Sequence, residues 1–327
     1  MFSCVVSAQQ LLVKSILFSL LANELALGRP IVNGLVPEYL EQFHFAVSLQ
    51  RTEDAAGGTN RTHFCGGTYI GDGWIVTANH CITSFSSEND TIITYIGGHQ
   101  LNGTDHWRVF SIDKTISNPS YNRYTLDGDI ALLHVDVTTS DGHFLDSLDE
   151  MIEGTLLLPT RSLAGGGVFD SNVLNLIGDR EEEHENEYGS EECHIYGYGS
   201  ATFYGPGSNL LQYGPVQPLG HRECREMLGP VVAPAAANSG MFCAIGLADA
   251  CKGDSGGGLV CRRRLTGPSE VESFDNARPY TLRGVISYGA GCGLPASPGV
   301  YADVGFYWDW IQEQILMTSQ SNIVSSK

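Results

Sequence analysis

Five consecutive residues, Gly253-Asp254-Ser255-Gly256-Gly257, describe a serine built to react. Glycine on both sides lets backbone approach a substrate closely, and it leaves the N–H groups of Gly253 and Ser255 free to face a developing negative charge. A serine hydroxyl is a weak nucleophile at its own pKa and needs a base that a third group holds in place. Two upstream stretches offer those partners. Thr77-Ala78-Asn79-His80-Cys81 carries an imidazole, and Asp127-Gly128-Asp129-Ile130-Ala131 carries a carboxylate ahead of an apolar run. Taken singly, His80 fits a satisfied structural histidine and Asp129 fits a turn. Taken with Ser255, they supply the base, orienting acid and nucleophile of acyl transfer.

Residues this far apart in the chain need a rigid frame. Ala46-Val47-Ser48-Leu49, Trp74-Ile75-Val76-Thr77 and the runs 130–135 and 282–288 are short and rich in β-formers, and 39 glycines suit many tight turns. Only the end reads as helix: over residues 307–317, Tyr307, Trp308, Ile311 and Ile315 recur at three- and four-residue spacing. The pattern predicts an all-β chain with a C-terminal helix.

In their order and flanking motifs, His80, Asp129 and Ser255 resemble the catalytic set of the trypsin/chymotrypsin family of serine peptidases, and the resemblance runs from Ile31 to about Ile315. It implies two six-stranded β-barrels with the active site in the cleft between them, and an oxyanion hole formed by the N–H groups of Gly253 and Ser255. It implies a primary pocket with Asp249 at its base, six residues before the serine, and with Gly289 and Gly299 keeping the walls open. A carboxylate there attracts a substrate Arg or Lys and leaves an apolar side chain facing an unpaired buried charge. Ala250 stands where many relatives have serine. Without that hydroxyl, lysine loses a ligand that a bidentate guanidinium does not need, so Arg is expected over Lys. Ser287-Tyr288-Gly289 resembles the segment that pairs with substrate backbone as an added strand. Ile31-Val32-Asn33-Gly34 resembles the family's mature start, where a freed Ile ammonium buries itself against the residue before the nucleophile, here Asp254. Relatives have Arg or Lys directly before that Ile, whereas this chain has Arg29-Pro30-Ile31. Further departures are Asn79 for a customary alanine, Gly258 for a proline, and Tyr198 and Tyr288 for tryptophans. His63 matches a frequent family position and is read as structural.

Composition bounds the rest. A net charge of −19 disfavours general nucleic-acid binding. Lys14, the apolar run 16–22 and Ala26-Leu27-Gly28 predict a signal peptide over 1–28, followed by a propeptide at 29–30, a peptidase domain over 31–316 and a loose tail over 317–327. The run is too short for a confident membrane span. A secreted, extracellular protein is therefore expected, acting as a monomer on protein or peptide substrates and open to protein inhibitors. Sequons at Asn60, Asn89 and Asn102 are compatible with that route. Nine cysteines less Cys4 leave eight, an even set that implies bridges without fixing their connectivity. The resemblance implies Cys65–Cys81, Cys193–Cys261, Cys224–Cys243 and Cys251–Cys292. A metal site competes poorly because no paired C-x-x-C occurs, and neither metal nor cofactor is expected. Two segments exceed the family outline, an acidic insertion between Pro159 and Cys193 and a loop opening with Arg262-Arg263-Arg264. The rival to an enzyme is a silent, zymogen-like homologue that acts as a binding protein.

Overall fold

The computed structural model describes residues 31–39, 42–55, 58–83, 91–101, 108–135, 142–159, 191–264 and 278–325. The expected signal peptide and propeptide, the sequons at Asn89 and Asn102 and the acidic run lie outside them. The N-terminal half is a closed antiparallel barrel of β1 (Ala46–Ala55), β2 (Gly58–Gly71), β3 (Trp74–Thr77), β4 (Thr91–Ile96), β5 (Arg108–Ser117) and β6 (Ala131–Val135), ordered β1-β2-β3-β6-β5-β4. All four residues of β3 are buried, as a short uninterrupted apolar run requires when both faces are covered.

A single turn, α1 (Asn79–Thr83), follows β3. Helix α2 (Gly142–Thr155) then leads to β7 (Leu156–Leu157), which lies parallel to the start of β12 (Tyr280–Gly289). The second closed barrel joins β8 (Glu191–Gly197), β9 (Gln212–Leu219), β10 (Met241–Gly246), β13 (Gly299–Asp303), β12 and β11 (Gly258–Arg263), with β11 pairing back to β8. Two six-stranded antiparallel barrels and a terminal helix are therefore the architecture, as the sequence predicts. One apolar cluster runs through both halves, from Phe45, Tyr69 and Leu132 to Tyr196, Leu282 and Val300.

Three local readings need correction. Helix α4 spans Trp308–Ser325 and continues past Met317, where a loose tail is expected. Thr318 explains the continuation: it is buried, and its hydroxyl accepts from Lys114 Nζ at 2.8 Å, which ties the last turns to the first barrel. Helices α2 and α3 (His221–Val232) are absent from the sequence reading. In α2, Leu145, Leu148 and Ile152 are buried at helical spacing, a short stripe between acidic residues. In α3 only Cys224 is buried, and its bridge to Cys243 does what an apolar face would otherwise do. Finally, Arg262 and Arg263 belong to β11 rather than to an exposed loop. Arg262 stacks 4.9 Å over Tyr280 and reaches Glu192 at 3.3 Å.

Candidate active site

His80 sits on α1, directly after β3, and Asp129 directly before β6. These two strands are hydrogen-bonded neighbours, Thr77 opposite Ala131, so barrel closure sets the two side chains side by side. Asp129 is fully buried. Its Oδ1 accepts the His80 backbone N–H at 2.8 Å, and its Oδ2 lies 2.7 Å from His80 Nδ1. A carboxylate only accepts, so Nδ1 carries a proton, and in the neutral imidazole the lone pair is on Nε2. Asp129 Oδ2 also accepts the Ser287 hydroxyl at 2.5 Å. The sequence reading placed Ser287 in a substrate-pairing strand, a matter of its backbone; its side chain turns to the acid at the point where the β12–β13 register shifts between Ile286 and Tyr288.

Ser255 comes from the second barrel. Its carbonyl accepts Gly66 N–H of β2 at 2.7 Å, and the next residue, Gly256, donates to Ile286 of β12 at 2.8 Å. Gly256 has φ +83°, and a Cβ there would strike Thr77 and the Gly66 carbonyl; glycine is needed for this approach. The Cys65–Cys81 bridge closes the seam. Cys81 Sγ lies 3.8 Å from His80 Nε2 and 3.6 Å from the Ser255 carbonyl oxygen, so one sulfur touches both segments.

The N–H groups of Gly253 and Ser255 donate to nothing among the described residues, while the carbonyls on the far side of each peptide are held. Ser200 N–H bonds Lys252 O at 2.8 Å, and Gly257 N–H bonds Asp254 O at 2.9 Å. A planar trans peptide points its N–H opposite its C=O, so both donors turn away from the loop interior. Gly253 takes φ +97°, and its own carbonyl accepts from His63 Nε2 at 2.9 Å.

Asp254 is fully buried. It accepts Gly199 N–H at 2.8 Å and Cys251 N–H at 2.9 Å, yet burial still pushes its carboxyl up to about 7. Ile31 is buried among Ile195, Val216, Ala248, Leu259 and Tyr301. Val32 exchanges two backbone bonds with Asp249, at 2.9 and 3.2 Å, which docks the Ile31–Asn33 segment beside that acid. Asp249 is raised by burial and accepts Gly293 N–H at 2.7 Å. A cavity of about 390 Å³ opens beside it, lined by Asn33, Leu247, Gly293, Ala296, Ser297 and Tyr301. That cavity shares only Asp249 with the pocket inferred from sequence. Gly289 faces Gly299 across β12 and β13, Ala250 packs on the Ile31 cluster, and Tyr288 donates to Val232 O at 3.0 Å.

All four bridges form between the pairs that the resemblance implies. Among the described residues, two clusters have metal-like spacing, Cys65-His80-Cys81 and Glu191-Cys193-Cys261, but their sulfurs are spent in disulfides and offer no thiolate. Among the described residues no helix is long and apolar enough to cross a membrane.

Two six-stranded antiparallel barrels with an imidazole–carboxylate pair, a clamped serine and two free N–H groups at their seam define the double-barrel serine peptidases as a class. The family model described as Trypsin matches residues 31–147 and 173–311, so the chain belongs to the trypsin family. It is 30% identical over 254 residues to Serine protease 56 of Mus musculus, covering 77% of this chain and 34% of that protein. It is 28% identical to Trypsin-1 of Salmo salar over 253 residues, 76% of this chain and 80% of that one. Anionic trypsin of Bos taurus is 29% identical over 262 residues, 79% and 82%. The chain thus spans about a third of the first relative and about four-fifths of the two trypsins.

Proposed function

We propose that the protein is a secreted serine endopeptidase that hydrolyses peptide bonds after Arg, and less readily after Lys. Ser255 Oγ attacks the scissile carbonyl while His80 Nε2 takes its proton, and Asp129 stabilises the imidazolium. The N–H groups of Gly253 and Ser255 receive the oxyanion. His80 returns the proton to the leaving amine, and water then attacks the acyl-enzyme by the same route. Asp249 pairs with the substrate guanidinium. The observation that carries this reading is the two-bond His80–Asp129 pair, meeting the Ser255 segment at one disulfide sulfur.

Activation follows from Asp254. A buried carboxyl raised to about 7, with only backbone donors for partners, suits an incoming ammonium. Arg29-Pro30 resists a tryptic cut, so an aminopeptidase that releases Xaa-Pro dipeptides frees Ile31 once signal peptidase has cut after Gly28. The same unmatched carboxyl favours one second reading, a silent homologue whose Ile31 is never freed.

A chromogenic arginyl substrate separates the two when the N-terminus of the assayed protein is sequenced alongside. The enzyme turns over with Ile31 at its start, and Ser255→Ala removes more than about a thousandfold of the rate. Asp249→Ser leaves a guanidinium unpaired and costs about 3–5 kcal/mol, roughly two to nearly four decades in kcat/KM. An Ile31-started protein that is inert, or one whose activity survives Ser255→Ala, overturns the reading.

A further inference from the structure

Asn79 immediately precedes His80, and its side chain is fully buried. Its Oδ1 accepts the Asn118 backbone N–H at 3.2 Å, while its Nδ2 donates to nothing among the described residues. A buried amide with an orphaned N–H is a standing cost to the fold, one that the family's customary alanine does not carry. What the carboxamide offers against that cost is its bond to the Asn118 backbone.

What it returns is visible in where Asn118 leads. This residue stands one step past the end of β5, and its Oδ1 accepts both the N–H of Ser120, at 2.9 Å, and the hydroxyl, at 2.8 Å. Ser120 packs directly on Gly128: a Cβ added there would lie 2.7 Å from Ser120 Oγ. Tyr307 hydrogen-bonds both the Ser120 side chain and the Gly128 backbone. Gly128 is covalently joined to Asp129, and Asp129 grips His80 by two bonds. The contacts close a ring through His80, Asn79, Asn118, Ser120, Gly128 and Asp129. Among the described residues, two polar contacts join α1 to the segment after β5: the Asn79 carboxamide to Asn118, and Thr83 to the Tyr121 hydroxyl at its far end.

We propose that Asn79 is a positioning residue, whose carboxamide fixes the spacing between α1 and the Asp129 loop and so keeps the His80 Nδ1–Asp129 Oδ2 bond in register. It touches no reacting atom. The proposal rests on His80 being the base, as argued above. Without the strut, α1 keeps its Thr83–Tyr121 contact and its disulfide but loses the tie next to His80, so the imidazole loses part of its hold on the acid while the substrate pocket is untouched.

The test uses Asn79→Ala, with Ser120→Ala breaking the same ring on its far side. In the Ile31-started enzyme on an arginyl substrate, kcat falls roughly five- to tenfold with KM unchanged within about twofold. A second measurement needs no turnover. In the Ser255→Ala background, the proton NMR signal of His80 Nδ1–H broadens in both variants as its carboxylate partner loosens. Asn79→Ala removes the orphaned amide but also leaves the buried Asn118 N–H without its acceptor, so thermal melting serves here only to show that both variants fold. An unchanged Nδ1–H signal in both variants overturns the proposal and marks a merely structural role. Should the parent enzyme fail to cleave the arginyl substrate, the peptidase reading falls while the NMR comparison still decides this one.

Discussion

Three donors converge on one carboxylate at Asp129: the His80 backbone N–H, His80 Nδ1–H and the Ser287 hydroxyl. Full burial makes each of them matter, because a buried carboxylate that loses a donor has no water to replace it. A hydrogen bond to a charged group contributes about 1.5–3 kcal/mol. Ser287→Ala is therefore expected to lower kcat/KM roughly tenfold, about 1.4 kcal/mol at the transition state, with KM little changed. Steady-state kinetics on an arginyl substrate read this directly, and a KM increase at constant kcat would return Ser287 to the substrate strand. The identities of His80, Asp129 and Ser255 were legible in their flanking motifs. The role of the Ser287 side chain was not, because a one-residue bulge leaves no mark in an alternating β pattern.

Strand β2 does more than close a barrel. Its residue His63 lies between Ser48 of β1, at 2.7 Å from Nδ1, and the Gly253 carbonyl, at 2.9 Å from Nε2. A carbonyl only accepts, so Nε2 bears the proton and Nδ1 accepts from Ser48, whose oxygen in turn accepts from Gln50 Nε2 at 3.2 Å. This line of bonds runs from the first barrel into the loop whose N–H groups face outward. Burial lowers the His63 pKa to about 4. Because the folded value lies below the ordinary 6.5, the contribution is fully present above pH 6.5 and is lost as pH falls toward 4. Replacing His63 with Ala leaves the Gly253 carbonyl unsatisfied and a hole beside it. Chemical denaturation should show a loss of about 2–4 kcal/mol, with kcat reduced more than KM as the loop slackens. A variant as stable as the parent would remove His63 from this role. The sequence placed His63 as structural, two residues before Cys65, but only strand pairing shows which loop it braces.

At the scale of the whole molecule, the Ile31 segment packs into the second barrel, which also holds the buried carboxyl of Asp254. In the uncleaved chain its carboxyl is raised to about 7 from an ordinary value near 4. A raised folded pKa gives stability that is present below pH 4 and is lost as pH climbs through 7. Once Ile31 carries an ammonium, that pKa drops and the loss disappears. Melting curves of precursor and Ile31-started protein should therefore diverge as pH rises from about 4 to 7, the cleaved form gaining. Other titrating groups, His63 and His194 among them, are common to both forms and cancel in the difference. Equal melting temperatures across that window would remove Asp254 as the ammonium's partner. In the cleaved enzyme, activity should fall in alkali as the ammonium, ordinarily near 8 and raised by its partner, loses its proton.

Composition and local pattern were enough for β-rich halves, a terminal helix and an even set of paired cysteines, because turn residues and apolar runs act over a few positions. They were not enough for α2 and α3, whose apolar stripes are short or replaced by a disulfide, nor for the helix beyond Met317, which Thr318 holds through a residue two hundred positions away. Bond networks around Asp129, Asp254 and Gly253 were decided by barrel closure. Each joins backbone groups from distant segments, and which N–H meets which oxygen is a matter of strand register rather than of residue type.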